Sequence, residues 1–403
     1  MAEAGATGDT IGVLYVHTAT LPPLGADTWI QSQIIRHIDR SSHELHVACR
    51  TFVGGVATPT YEVVRDIEGI DIVPVDFGPE LAGRSFAGKV RGVAATLPAL
   101  WGLGRLVRLS RRRRVQVVHT SDRPRDAFAA VLIARLTGAT SVVHVHVGYN
   151  PAWIGRMLQW SLAHADHLVA VSSFVASTLV EGGFPAERVD VVLNAIDVDA
   201  WVPGAGRDDV RAELGIGAAA TVVATVCRLF PEKGPGDLIE AVARVRTVHP
   251  EVVLLIVGKE LFPGYRDELE TLTARLELGD AVRFLGRRGD VGAVMAAADI
   301  FAMPSHEEPF GLVFLEAMAM ERPVVALADG GTLEVVDHDR NGLLSSWKDA
   351  DQLVANLSTL IADPARRAAM GECGRHHVIE RFTVQRMAAD VAALYRRIAA
   401  STR

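Results

Sequence analysis

Two glutamates, Glu308 and Glu316, stand with seven residues between them, and Pro309-Phe310-Gly311 lies inside that interval. The surrounding segment, Asp299 to Glu334, begins with a short apolar run at Ile300–Met303 and breaks at Pro304-Ser305-His306-Glu307. From Leu312 the composition turns helical, Pro323–Ala326 predicts the next strand, and Gly330-Gly331-Thr332 predicts a tight turn. Strand, loop, helix and strand in that order make one βαβ unit of a parallel sheet. Gly311 then sits where a loop becomes a helix. The first amides there, at Gly311, Leu312 and Val313, have no intrahelical partner and carry the positive end of the helix dipole, which suits a phosphate. Without a Cβ, Gly311 lets an anion approach the backbone closely. Carboxylates on both sides of an anion cradle would repel phosphate, so Glu308 and Glu316 fit hydroxyls: a sugar on one side and a ribose on the other.

Other residues of the same kind recur along the chain. Thr221–Cys227 predicts a strand and a helix begins near Asp237, which leaves Arg228 and Lys233 in a strand-to-helix loop at the carboxyl edge of a sheet. An arginine fork and a lysine point charge at such an edge would neutralise a diphosphate leaving group. The predicted strands Val115–His119 and Ser141–Val145 end beside His119 and His146. Ligands of doubly wound sheets bind outside the carboxyl ends of strands, so both histidines are expected to face a cleft. His144, one pleat from His146, is expected on the same face or just beneath it. Gly25 precedes a helix expected near Thr28, another turn where backbone can approach an anion.

These motifs carry a family resemblance. Glu308-x7-Glu316 around Pro309-Phe310-Gly311, followed by Ala326-x3-Gly330-Gly331-x2-Glu334, resembles the retaining GT-B glycosyltransferases of family 4. Arg228-Leu229-x3-Lys233-Gly234 is similar to the same family's Gly-Arg-Leu-x3-Lys-Gly, with Cys227 in the usual glycine's place, and Asn194-Ala195-Ile196-Asp197 is similar to its hinge. The first loop departs from the family: it reads Pro22-Pro23-Leu24-Gly25 rather than Gly-Gly-x-Glu, so that part of the comparison rests on Gly25 alone. The resemblance covers nearly the whole chain, most specifically residues 228–334.

It implies an α/β, GT-B fold: two doubly wound Rossmann-like domains facing across a cleft. The boundaries it suggests are an acceptor-side domain over 1–198, a hinge at 199–207, a nucleotide-sugar domain over 208–382, and a last helix, 383–403, packing back on the first domain. The implied reaction moves a sugar, with retention of configuration, from a nucleoside diphosphate sugar to a hydroxyl acceptor. A UDP-sugar is the favoured donor and GDP-mannose the alternative; a lipid, a glycan or a secondary metabolite would fit as acceptor. Carried over residue by residue, Arg228 and Lys233 hold the diphosphate, Glu308 the donor sugar and Glu316 the ribose. His146 touches the sugar near its reacting carbon. Phe310, Gly311, Leu312, Val313 and Gly25 line the donor, and Arg287, at the end of a predicted strand over Val282–Arg287, lies where the base is expected. No cofactor is called for, because the donor is a substrate, and no metal, because protein cations do that work.

Two other readings compete with transfer. A GT-B nucleotide-sugar epimerase needs acid/base carboxylates and no second substrate. A non-catalytic nucleotide-sugar-binding or membrane-scaffold protein would have little reason to keep Arg228, Lys233, Glu308 and Glu316 together. Sucrose and trehalose synthases are similar in their second half but longer. Asp197-x-Asp199 and Asp337-x-Asp339 match a metal-binding motif of another fold outside its βα context. Gly215-x-Gly217-x-x-Ala220 precedes a strand instead of following one, so it fails as a dinucleotide fingerprint.

Composition sets the bounds. At 403 residues two domains of about 190 are expected. The chain is 49% hydrophobic and 22% charged, as globular proteins are, and its formal charge of −7 disfavours nucleic acid as a partner. Cys49, Cys227 and Cys373 form no C-x-x-C pair, which points to a reducing cytosol. The opening MAEAGATGDT has no signal-peptide pattern, and no apolar run approaches a membrane span. One stretch stands apart: residues 81–114 hold nine cations and no acid, interleaved with Phe86, Leu97, Leu100, Trp101, Leu103 and Leu106. Peripheral contact with an anionic membrane, on the inner face, is the reading for that stretch; a solvated face on an ordinary helix is its rival.

Overall fold

The computed structural model describes residues 10–20, 25–77 and 97–401 of the protein. Arg84, Lys89 and Arg91 of the basic stretch, and Pro22–Leu24 of the first loop, lie outside the described residues. The chain divides into two compact units, Met1–Leu193 with Val384–Arg403, and Asn194–Thr383.

The first unit is built on a seven-stranded parallel sheet. Its strands are β1 (Ile11–Val16), β2 (His43–Cys49), β5 (Ile70–Pro74), β6 (Val115–Ser121), β7 (Thr140–Val145), β8 (His167–Ala170) and β9 (Val189–Val191), ordered β5-β2-β1-β6-β7-β8-β9. A small hairpin, β3 (Phe52–Val53) and β4 (Val56–Ala57), follows β2. The helices are α1 (Ala26–His37), α2 (Pro59–Val64), α3 (Leu97–Arg112), α4 (Pro124–Thr137), α5 (Arg156–His164), α6 (Ser173–Glu181) and the final helix, Val384–Ser401. All six residues of β1 are buried, as expected for a central strand covered on both faces. Helix α4 starts on Pro124 and stops at Gly138, whose φ of +77° suits a left-handed cap. Leu106 of α3 packs with Ile133 of α4 and Val118 of β6 in one core.

The second unit has a six-stranded parallel sheet: β10 (Val222–Val226), β11 (Val253–Val257), β12 (Val282–Gly286), β13 (Ile300–Met303), β14 (Val324–Leu327) and β15 (Gly342–Ser345), ordered β12-β11-β10-β13-β14-β15. Its helices are α7 (Arg207–Glu213), α8 (Pro235–Arg246), α9 (Tyr265–Arg275), α10 (Val291–Ala297), α11 (Leu312–Ala319), α12 (Thr332–Val335), α13 (Ala350–Ala362) and α14 (Pro364–Arg381); the final helix, Val384–Ser401, becomes α15. Asp349 and Asp363 cap α13 and α14 by accepting the N–H of Gln352 and Arg366.

Both sheets reverse direction at one place. In the first unit the order turns between β1 and β6, and in the second between β10 and β13. Loops leaving the carboxyl ends of the strands diverge there and leave a crevice, the usual seat of ligands in such sheets. Residues 199–207, expected as a hinge, fall in the second unit: Arg207 opens α7 and is salt-bridged to Asp299 at 2.8 Å, and Arg375 donates to the Trp201 carbonyl at 3.1 Å. In the first unit α15 packs on α1, and Tyr395 meets Tyr15 of β1 through their hydroxyls at 2.7 Å.

Candidate active site

In the second unit the switch-point loops follow β10 and β13. The β10 loop carries Arg228 and a 3-10 turn that ends in Lys233; the β13 loop carries Glu308 and runs into α11. Lys233 Nζ lies 2.6 Å from Glu308 Oε2, with both side chains largely buried. Phe230 lies near both cations: its ring centroid is 5.8 Å from the Arg228 guanidinium carbon and 5.6 Å from Lys233 Nζ. Cation–π attraction thus ties an exposed arginine and a half-buried lysine to one aromatic ring. Cys227 sits at the start of this loop, and burial pushes its thiol up to about 11, so it stays protonated and is no nucleophile.

The β13 loop is held by backbone contacts as much as by side chains. Gly331 donates its N–H to the Glu308 carbonyl at 2.7 Å. A Cβ on Gly330 would lie 2.5 Å from the Glu308 carbonyl oxygen, and one on Gly331 would lie 2.9 Å from Phe310 Cα. Those two glycines are therefore needed so that the β14 loop can press on the β13 loop. Gly234, at φ +68°, lets the β10 loop approach Pro304 in the same way. Gly311 has φ +90° and opens α11; the amides of Leu312 and Val313 point out of the helix start, and the Phe314 N–H turns back to the Gly311 carbonyl at 2.9 Å.

Glu316 lies one turn into α11, half-buried, its carboxylate without a hydrogen bond or ion pair among the described residues. Burial alone pushes its carboxyl up to about 7. Phe310 needs a correction. Its ring is 2% exposed and packs edge-on against Phe382 at 6.0 Å, so it anchors the loop in the core and lines no ligand surface. Arg287 is exposed just past Gly286, without a partner among the described residues, whereas Arg288 is spent on Glu213 and Asp290 at 2.6 to 2.8 Å.

The first unit's switch point carries chemistry that spacing did not disclose. Arg123 forks onto Asp27 at 2.6 and 3.1 Å. Burial pushes the Asp27 carboxyl up, but the Arg123 guanidinium and His17 outweigh it and hold it at about 2. His17 is wedged between Thr28 (2.8 Å) and Ser121 (3.4 Å), and burial drops it to about 3, so it is neutral. Gly25 has an ordinary φ of −77°, and the space its missing Cβ leaves is filled by the Asp27 carboxylate. Its smallness thus serves the Asp27–Arg123 pair, and a carboxylate there opposes an approaching phosphate.

His146 follows β7, and its N–H donates to Asp122 Oδ2 at 3.0 Å. Burial lowers its pKa against the pull of Asp122 and Asp27, leaving a neutral ring able to meet a hydroxyl. His144 lies beneath it, rings stacked at 4.6 Å. His119 does not face a crevice: β6 continues to Ser121, which places His119 inside the sheet at 0% exposure. Tyr395 Oη at 2.6 Å and the Gln31 amide at 3.4 Å occupy its two nitrogens. Among the described residues no three of His, Cys, Asp or Glu converge as a metal-holding group.

Comparison with known proteins bears on the whole chain. Residues 206–377 match the family described as Glycosyl transferases group 1, and residues 32–200 match Glycosyltransferase Family 4. The D-inositol 3-phosphate glycosyltransferase of Salinispora arenicola is 30% identical over 422 aligned positions, covering 96% of this chain and 91% of that one. The chain belongs to glycosyltransferase family 4. Alignments with enzymes of the same name from Segniliparus rotundus and Corynebacterium kroppenstedtii, each 38% identical, cover only about half of those relatives, 54% and 48%. In fold the family 4 chain is similar to the Anabaena protein Alr3699/HepE crystallised with UDP, with a TM-score of 0.76, 24% identity, and coverage of 96% and 99%. It is also similar to a sucrose-phosphate synthase from Thermosynechococcus elongatus, with a TM-score of 0.73, 21% identity, and coverage of 97% and 100%. The two Rossmann-like units are those of a GT-B glycosyltransferase.

Proposed function

We propose that this family 4 glycosyltransferase moves a sugar from a nucleoside diphosphate sugar to a hydroxyl acceptor, retaining the anomeric configuration and using no metal. The observation that carries the reading is the Lys233–Glu308 pair at 2.6 Å in the second unit's switch point, with Arg228 held beside it on Phe230. Lys233 has three N–H donors and gives one to Glu308, so two are left for a diphosphate. Arg228 and the first amides of α11 supply the remaining positive charge. Negative charge grows on the diphosphate as the glycosidic bond breaks, so these fixed groups stabilise the transition state more than the bound substrate. Glu308 accepts from a donor-sugar hydroxyl and Glu316 from the ribose, whose hydroxyls supply the partner that carboxylate lacks. The neutral ring of His146 would meet a sugar hydroxyl.

Relatives guide the choice of substrates. One, from Corynebacterium glutamicum, is named a GDP-mannose-dependent phosphatidylinositol monomannoside mannosyltransferase and is 33% identical over 61% of this chain. UDP- and GDP-sugars are thus the donors to try, and inositol phosphates and phosphatidylinositol mannosides the first acceptors. The test is product analysis by NMR after incubation with each pair. An α-linked product from an α-linked donor, formed only with acceptor, supports the reading. A β-linked product, or an epimerised nucleotide sugar without acceptor, overturns it.

Membrane contact on the cytoplasmic face belongs to the same proposal. On α3, Leu100 and Trp101 are 64% and 72% exposed and share one stripe with Arg105, Arg108, Arg111 and Arg112. On an ordinary packing helix the tryptophan would face inward; here Leu106 and Ser110 do. Arg108→Ser with Arg112→Ser is expected to weaken sedimentation with phosphatidylglycerol vesicles several-fold, whereas unchanged sedimentation would leave a solvated face. Among the described residues no helix is long and apolar enough to cross a membrane.

A further inference from the structure

His306 takes no part in the family motif, yet it touches every loop that builds the second unit's switch point. Its backbone N–H donates to the Glu232 carbonyl at 2.8 Å, in the turn that carries Lys233. Its ring Nδ1–H donates to Asp329 Oδ2 at 2.5 Å, in the loop after β14. The same Asp329 oxygen accepts the Glu307 N–H at 2.8 Å. The imidazole lies flat on the Trp347 indole, in the loop after β15, with centroids 4.0 Å apart and planes 1° from parallel. Lys348 Nζ sits 3.9 Å from the Trp347 centroid, and because the imidazole covers one face the ammonium takes the other.

This stack answers a local difficulty. Glu307 has φ +48°, a left-handed conformation that costs a non-glycine residue about 1 kcal/mol or more and persists only where its surroundings impose it. Asp329 imposes it from one side, and His306 holds Asp329 there. The next residue is Glu308, whose carboxylate must be aimed at the donor sugar. Trp347 is 51% exposed and the His306 side chain 30%, so core burial does not explain why the rings are pressed together.

We infer that His306 is a positioning residue for the donor sugar: clamped between Asp329 and Trp347, it sets the β13 loop so that the Glu308 carboxylate reaches a sugar hydroxyl. The inference rests on the donor reading above. It acts on the half of the donor that Glu308 meets and leaves the diphosphate to Arg228, Lys233 and α11. A residue that merely stabilised the fold would affect both halves alike.

The test compares affinities of wild type and His306→Ala for UDP and GDP, and for UDP-glucose and GDP-mannose, with amide hydrogen exchange followed in the same proteins. His306→Ala is expected to weaken the nucleotide sugar about tenfold, to leave the nucleoside diphosphate within about twofold, and to speed exchange at Glu307 and Gly331. His306→Asn, which keeps a donor for Asp329, and His306→Phe, which keeps the stack on Trp347, are each expected to restore part of the loss. Equal weakening of both ligands, no weakening of either, or unaltered exchange at Glu307 and Gly331 overturns the inference. If wild type binds none of the four nucleotides the donor reading falls, and the exchange rates still decide whether His306 holds the loop.

Discussion

The two units share one architecture and build their switch points from different materials. In the second, charges and glycines do the positioning: Lys233 meets Glu308, and Gly234, Gly330 and Gly331 let three loops touch backbone to backbone. In the first, the polar groups are side chains buried between the sheet and the helices α1 and α15, with Tyr15, Tyr395, His119, Gln31 and His144 joined in an unbroken run beneath His146. Glycine contacts fail by steric collision and cannot be relieved by a rotamer change. A buried polar run fails by leaving donors and acceptors unpaired. The first kind of site should be brittle towards added volume, the second towards lost hydrogen bonds.

Three substitutions sharpen that contrast, and the largest effect belongs to the glycines. Gly331→Ala forces a methyl against the Pro309 carbonyl and Phe310 Cα. Urea unfolding is expected to show a loss of about 3 kcal/mol, the upper end for overpacking, because the obstacle is backbone. A loss below 1 kcal/mol would mean that the loops yield. Tyr395→Phe adds no volume but orphans the Tyr15 hydroxyl and His119 Nδ1. A cost of about 2 kcal/mol in the same assay is expected from two buried unpaired groups; a neutral result would show that the run is not needed.

The third effect is smaller and depends on pH. Burial raises the Glu316 carboxyl to about 7, above the ordinary 4.5 of an unfolded chain. Between those values the folded state holds a proton that the unfolded state has lost, so stability falls as pH rises from about 4.5 to 7 and levels off beyond. The slope is up to about 1 kcal/mol per pH unit. Glu316→Gln is expected to flatten that portion of a denaturation–pH series, and a slope equal to that of wild type would show that solvent already satisfies the carboxylate.

The same contrast governs what could be read from the letters. Ile300–Met303 and Leu312–Ala319 were legible because apolar runs and a glycine break mark strand and helix directly. Arg228, Lys233 and Glu308 were legible because a strand-to-helix loop confines its charges to one edge. His119 was misplaced because nothing in Thr120-Ser121 announces that β6 runs two residues further. Gly25 and Phe310 were assigned to a ligand, although the carboxylate of Asp27 and the ring of Phe382 are their neighbours. His306 and Asp329 are 23 residues apart, and Arg123 and Asp27 are 96 apart. Such pairs depend on how separate loops fall against each other, which no local pattern encodes. An aspartate just after a strand, as Asp329 is, is the one signal that could have raised the first pair; Asp27, inside α1, offers none.

The central claim is that the second unit holds a nucleoside diphosphate on Arg228, Lys233 and the start of α11. Its most direct test is the unfolding temperature of wild type and Lys233→Ala, each titrated with UDP and GDP. At about one hundred times the dissociation constant a bound nucleotide adds about 2.7 kcal/mol, a clear upward shift. Wild type is expected to show that shift with one of the two nucleotides, and Lys233→Ala to lose most of it. No shift with either nucleotide, or an equal shift in the variant, would contradict the claim.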